Sequence, residues 1–150
     1  MTRLELISRV QNHTRDFNAT AFRTNDIIAY INEGIERLQQ LVPQLLGMVS
    51  LSVNGDVPIL LPTPYHHLLA LYAAARCFAQ DTRSYQATTL MNEFEVKVDE
   101  LLQKIQCGEV IIVDALGVAV VVTFTPEYID LDAYYGEDET EDHFIDYVYV

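Results

Sequence analysis

Past Lys104 the chain contains neither lysine nor arginine, although eleven of its 22 acidic residues lie there. The first 104 residues are close to neutral, and the last 46 carry a formal net charge of −11. A globular core gains nothing from such polarity, because net charge far from zero opposes compaction by self-repulsion. The C-terminal part is therefore expected to serve a partner. It is not a plain acidic solubiliser, since Tyr128, Tyr134, Tyr135, Phe144, Tyr147 and Tyr149 are interleaved with its carboxylates, and aromatics of this kind favour docking. With a formal net charge of −13 overall, the chain repels phosphates and has few counterions to release, which excludes bulk DNA binding.

Cysteine is also scarce. Cys77 and Cys107 lie on separate helical stretches with no CxxC spacing and no clustered histidines, which excludes a disulfide framework and a zinc site. Both are expected to be buried free thiols. Thr2, Arg3, Leu4 and Glu5 do not begin the apolar core of a signal peptide, so the expected place of synthesis and residence is a cytoplasm. The strongest apolar run, Val110 to Phe124, is interrupted by Asp114 and Gly117 and falls short of the ~20 residues that span a bilayer. No membrane anchor is expected. A chain of 150 residues suits one domain, and at this size folding buries roughly 70% of the unfolded surface.

No catalytic constellation is present. His66 and His67 are adjacent in the first turn of a helix, about 100° apart around its axis, which suits a surface or capping role better than one shared metal. His13 and His143 have no ligand-spaced neighbours, Ser84 has no His and Asp partners at readable spacing, and there is no P-loop. Glu93, Glu95, Asp99 and Glu100 alternate with Lys97 and Lys104 as on a solvated helix face, with Glu93–Lys97 and Glu100–Lys104 pairs at i, i+4. The tail carboxylates lack the glycine and ligand order of an EF-hand. Neither a cofactor nor a metal is expected, and the chain does not read as an enzyme.

The periodicity predicts a mainly α fold: a small bundle of about four helices, one β-hairpin between the second and third, and a second β-hairpin with an extended acidic tail at the C-terminus. Thr2 and Glu5 have capping-box spacing, followed by Leu4, Ile7 and Val10 on one face. Thr24 is expected to cap a second helix with Ile27, Ile31, Ile35, Leu38 and Val42 on one face, ended by Pro43. Val49, Leu51, Val53 and Val57, Ile59, Leu61 then alternate about Asn54, Gly55 and Asp56, a hairpin whose three-residue loop would align the two apolar sets. Pro58 makes its second strand an edge.

Thr63 as cap and Pro64 at the first helical position open a third helix, with Leu68, Leu71, Tyr72, Ala75, Phe78 and Ala79 in phase. Its alanines 70, 73, 74 and 75 permit close approach of a neighbour. Ser84 is expected to cap a fourth helix with a seam of Ala87, Met91, Phe94, Val98, Leu101 and Ile105 that stops at Gly108. The domain reading is thus a helical domain over residues 1–108 with an inserted hairpin, and a β-rich segment with an acidic, tyrosine-rich tail over 109–150.

The valine run from Val118 to Val122 has two readings. It is a hairpin lying over the bundle, or it adds strands to a sheet shared with a neighbouring subunit or partner, with main-chain bonds giving affinity and alternate side chains specificity. The candidate interface residues are accordingly Val118, Val120, Val122 and Phe124, with Tyr128, Tyr134, Tyr135, Phe144, Tyr147 and Tyr149 of the tail. A head-to-tail contact of this kind is heterologous and closes into a ring where the rotation allows.

The stretch "TNDIIAYINEGIERLQQLV" from Thr24 to Val42, followed by the expected hairpin, "LPTPYHHLLALYAAARCFAQD" from Leu61 to Asp81 and "SYQATTLMNEFEVKVDELLQKIQCGE" from Ser84 to Glu109 resembles the head-to-tail connector, or adaptor, proteins of tailed bacteriophages. The resemblance covers residues 1 to 109. It implies a structural virion protein without turnover, made in the host cytoplasm and placed at the head–tail interface. There it would form a homo-oligomeric ring, usually of twelve, on the portal protein, joining the head to the tail or stopper. DNA would pass through such a ring without being specifically bound, which suits an acidic protein. A different class also accounts for the charge: an antitoxin or DNA-mimic-like inhibitor whose acidic aromatic tail neutralises a basic protein in a salt-sensitive complex.

Overall fold

A computed structural model describes residues 2–16, 18, 20–51 and 60–122. They form four helices, α1 (Arg3–Thr14), α2 (Thr24–Leu41), α3 (His67–Gln80) and α4 (Ser84–Gln106), with one-turn 3₁₀ segments at Pro43–Leu45 and Thr63–Tyr65. The fold is mainly helical, and the described residues contain no named strand.

α1 begins at the expected capping box. The Thr2 hydroxyl accepts from the Glu5 N–H at 3.3 Å, and the Thr2 N–H donates to Glu5 Oε2 at 2.8 Å. Its buried face is Leu6, Ile7 and Val10; Leu4, expected on that face, is exposed. α2 buries Ile27, Ile31, Ile35 and Leu38 and ends at Leu41, with Val42 as its C-cap and Pro43 following. The caps of the later helices differ from expectation. Arg23 and Arg83 occupy the N-cap positions of α2 and α4, so Thr24 and Ser84 are the first helical residues and neither helix has a side-chain cap. Thr63 and Pro64 form their own 3₁₀ turn, and α3 starts only at His67.

α3 is the axis of the bundle and packs against α1, α2 and α4. This is why it is buried almost all round: Leu68, Leu69, Leu71, Cys77, Phe78 and the four alanines are inside, while Arg76 and Ala79 face out. The buried alanines keep the axis thin enough for three neighbours. α2 runs antiparallel to it, with the Tyr30 hydroxyl donating to Gln80 Oε1 at 2.6 Å and Arg76 paired with Glu33 at 2.8 Å. Beyond these contacts Gly34 meets Tyr72 so closely that a Cβ would sit 3.1 Å from its ring. α4 lays Phe94, Val98 and Leu101 into the core, with Met91 and Ile105 half-buried beside them, as its seam requires. The i, i+4 ion pairs expected on its outer face are not formed; Lys104 instead lies over the Tyr65 ring, 6.0 Å from its centre.

Three helices end in the same motif, in which two N–H groups fold back onto the last carbonyls. The pairs are Asp16 to Gln11 and Arg15 to Asn12, Arg83 to Phe78 and Thr82 to Ala79, and Glu109 to Lys104 and Gly108 to Ile105. Each needs one left-handed residue. Glycine supplies it only at Gly108 (φ 77°); Arg15 (φ 58°) and the β-branched Thr82 (φ 61°) adopt it with a Cβ, at a cost of about 1–2 kcal/mol each. Thr82→Gly is therefore expected to stabilise the protein. After subtracting about 0.4–1 kcal/mol for glycine's freer unfolded chain, about 0.5–1 kcal/mol remains, a rise of about 1–4 °C in Tm by calorimetry. Gly108→Ala should lower Tm by the same measurement, and equal signs for the two would contradict this account.

The expected hairpins are not supported as strands. Residues 52–59 of the first lie outside the described residues, and its flanks are held by α2 rather than by a partner strand. Asn32 brackets Leu51, donating to its carbonyl at 3.0 Å and accepting from its N–H at 2.7 Å, while Gln39 donates to the Met48 carbonyl at 2.7 Å. In the second, residues 123 and 124 lie outside the described residues, and the remainder pairs only at one antiparallel bridge, Val113 with Ala119.

Candidate interaction surface

The residues after α4 form an arm, 110–122, fastened to the bundle at one point. Ile112 is 3% exposed in the core, with Val110 and Val120 packed partly against it. The arm turns back at Asp114, whose Oδ1 accepts from the N–H groups of Leu116 and Val118, both at 2.9 Å. The Asp114 N–H donates to the Val118 carbonyl at 2.8 Å and the Val120 N–H to the Ile112 carbonyl at 2.8 Å. Between these bonds Val113 and Ala119 face each other without hydrogen-bonding to each other, so their N–H and C=O groups point away from the ribbon on both sides. None of those four groups bonds to another backbone group among the described residues. The arm thus offers open edges as well as apolar side chains.

Its exposed apolar side chains are Ile111, Val113, Leu116, Val118 and Val121, of which Val118 is 59% and Leu116 88% exposed. By the register of the ribbon Ile111, Val113 and Val121 share the face opposite Ile112, while Val118, next to the turn, is exposed on the Ile112 side. Apolar side chains grouped in this way mark an interaction surface more often than scattered ones do. The structure brings together only part of the expected site. Val118 is exposed as expected, but Val120 packs inward and Val122 is half-buried, their outward places taken by Val121 and, across the ribbon, by Ile111 and Val113. The run Val110 to Val113 already carried the signal for these two; what the sequence did not reveal was that Ile112, not its neighbours, would be the anchor. Phe124, Tyr128, Tyr134, Tyr135, Phe144, Tyr147 and Tyr149 lie outside the described residues.

Elsewhere the polar groups that might have been functional are structural. His66, expected in a surface or capping role, is buried, with Nε2–H donating to the Leu61 carbonyl and Nδ1 without a partner among the described residues. Burial lowers its pKa, against the opposing pull of the Leu61 carbonyl. His67 is half-buried, its Nδ1 beside the Pro64 carbonyl. Asp16, buried in the α1–α2 connection, accepts from the N–H groups of Phe22 (3.0 Å), Thr20 (2.9 Å) and Ala21 (3.1 Å) and from the Thr20 hydroxyl (3.0 Å). The Phe22 N–H contributes most to lowering its pKa. Cys77 is buried as expected, its thiol pushed up to about 12 by desolvation, whereas Cys107 is exposed, contrary to expectation. Among the described residues no group of three or more His, Cys, Asp or Glu is placed to hold a metal, and no helix is long and apolar enough to cross a membrane.

Both lowered pKa values make acid destabilising. A group whose folded pKa is depressed adds stability above its unfolded pKa and loses it as pH falls through the folded value. Stability should therefore fall in two stages, the first below about pH 6.5 from His66 and the second below about pH 3.8 from Asp16. Urea unfolding as a function of pH checks this: His66→Gln should flatten the upper stage and leave the lower one in place.

Compared with protein-family models, with curated proteins and with solved structures, the chain matches none.

Proposed function

We propose that this chain is a structural virion protein, an adaptor subunit that assembles as a ring on the portal of a phage head and connects it to the tail or stopper around the DNA exit. The observation that carries this reading is the arm: an apolar, open-edged ribbon anchored by one residue to a small helical bundle is suited to adding strands to a neighbour's sheet. Repeated around an axis, such a heterologous contact closes a ring. The resemblance of residues 1 to 109 to phage connector proteins supports the same reading, and net negative charge on a ring lets a duplex slide past. The ring's usual number of twelve belongs to that resemblance.

The test is negative-stain electron microscopy of the purified protein mixed with the portal ring encoded in the same genome, at low and high salt. An added layer of density with the portal's own symmetry is the expected result. Bare portals at both salt concentrations, with the protein still folded by circular dichroism, would overturn the proposal. Tight, salt-sensitive capture of a basic protein would then favour the acidic inhibitor.

A further inference from the structure

The two helix ends that adopt left-handed conformations without glycine flank one cleft. It has a volume of about 440 Å³ and lies where the end of α1, the end of α3 and the start of α4 meet, lined among others by His13, Arg15, Phe78, Arg83, Tyr85 and Leu90. Among the described residues no carboxylate lines it. Arg83 lies 5.9 Å over the Phe78 ring and pairs with Asp81 at its rim, both side chains about half exposed. Arg15 is exposed and makes no ion pair among the described residues. The carbonyls of Gln11, Asn12, Phe78 and Ala79, which would oppose an anion there, are occupied by the helix-end bonds. Two guanidinium groups, of which only Arg83 has a carboxylate partner among the described residues, converge with an imidazole and two aromatic rings on this space, and backbone strain at a surface site is a pointer to function.

We propose that this cleft receives the chain's own C-terminal segment, residues 134–149, with its carboxylates on Arg15 and Arg83 and its tyrosines against Phe78 and Tyr85. The composition is complementary: from residue 123 onward the chain carries nine carboxylates, no lysine and no arginine, and the run Glu137 to Asp142 holds five of them. The reach is sufficient. The arm closes back on Ile112 near the C-terminal end of α4, and the cleft is at the other end of that helix, about 34 Å away at 1.5 Å per residue. Bridging this takes about 11 extended residues, which brings the chain from Val122 to about Tyr134 and leaves the acidic, aromatic remainder for the cleft. This inference does not depend on the adaptor reading; a ring subunit and an inhibitor could each hold an acidic tail in this way until a competing basic surface draws it off.

Paramagnetic relaxation in the full-length protein tests it, with Cys107→Ser and Val150→Cys introduced and a nitroxide attached to the new thiol. The expected result is loss of the amide signals of Arg15, Tyr85 and Gln86, and their recovery at about 1 M salt, where the screening length is about 3 Å. They should also recover in an Arg15→Glu, Arg83→Glu variant whose remaining spectrum shows an intact fold. Undiminished cleft signals at low salt would overturn the proposal. Mixing isotope-labelled chains without nitroxide with unlabelled chains that carry it gives the second arm: broadening of the cleft there would assign the occupant to another copy and overturn the intramolecular docking, whereas sharp signals uphold it.

Discussion

Phe94→Ala is expected to lower Tm by about 6–20 °C, corresponding to about 3–5 kcal/mol for emptying a fully buried phenylalanine site. Phe94 is 0% exposed and meets the Tyr72 ring edge-on, the centroids 5.2 Å apart at 63°. Tyr72 in turn closes over Gly34, so one line of contact runs from α4 through α3 to α2. Removing the ring leaves a cavity at the start of that line, and α3 cannot relax into it without losing its fit against α1 and α2. A domain of ordinary stability has about 5–15 kcal/mol in total, so the variant should be close to unfolding in mild denaturant. Phe94→Leu keeps most of the volume and loses chiefly the ring–ring contact, worth about 0.5–1.5 kcal/mol. It should therefore fall between wild type and the alanine variant in thermal denaturation followed by circular dichroism. Wild-type stability in Phe94→Ala would mean that α4 does not pack as described.

The helices were legible in the sequence because each is amphipathic over several turns. The α2 stripe corresponds residue for residue to buried positions, and the α4 stripe is buried at Phe94, Val98 and Leu101 and half-buried at Ala87, Met91 and Ile105, since each of these helices presents one face to the bundle. α3 was legible as a helix but not as the axis, because its alanines read as permissive spacing, whereas three neighbours bury them. Caps were less legible. Thr24 and Ser84 are good capping residues by type, yet the turn begins one residue earlier, at Arg23 and Arg83, where backbone geometry set by the preceding connection prevails over side-chain preference. The alternation of Val49 and Leu51 did not report a shared face, since Leu51 is buried and Val49 is exposed, and a segment bracketed by Asn32 and Gln39 satisfies its backbone on a helix as well as it would on a strand.

The arm shows the limit of such reasoning at the site itself. Alternation puts Val118, Val120 and Val122 on one face, but both faces of the arm are apolar, so nothing in the residue types said which would be inward. Ile112 decides it. Once that side chain enters the core, the bond from the Val120 N–H to its carbonyl turns Val120 toward the bundle; Val118, two residues away on the same face and next to the turn, is exposed nevertheless. The basic cleft was invisible for a different reason: Arg83 is far in sequence from His13 and Arg15, each is unremarkable singly, and only the parallel course of α1 beside α3 collects them.

An Ile111→Asp, Val118→Asp chain should remain folded and fail to join the portal. Both side chains are well exposed, so the pair should cost the bundle little, about ±0.5 kcal/mol per surface substitution and no more than about 4 °C in Tm. Covered by a neighbouring subunit, each apolar side chain contributes about 1.5–3 kcal/mol. Losing two removes about 3–6 kcal/mol, or about 10²–10⁴-fold in affinity, before the cost of burying carboxylates is counted. Since an added negative charge alone weakens contact with another acidic subunit, Ile111→Ser with Val118→Thr separates the effects: it adds no charge and should still lose most of the binding. Val120→Asp provides the opposite control, because that side chain packs against the core, and it should lower Tm as well as assembly. Sedimentation with portal rings measures binding for all three, and unchanged co-sedimentation of the first variant would show that these exposed side chains of the arm are not the contact. Loss of binding together with a large fall in Tm would instead assign Ile111 and Val118 to the fold, in conflict with their exposure.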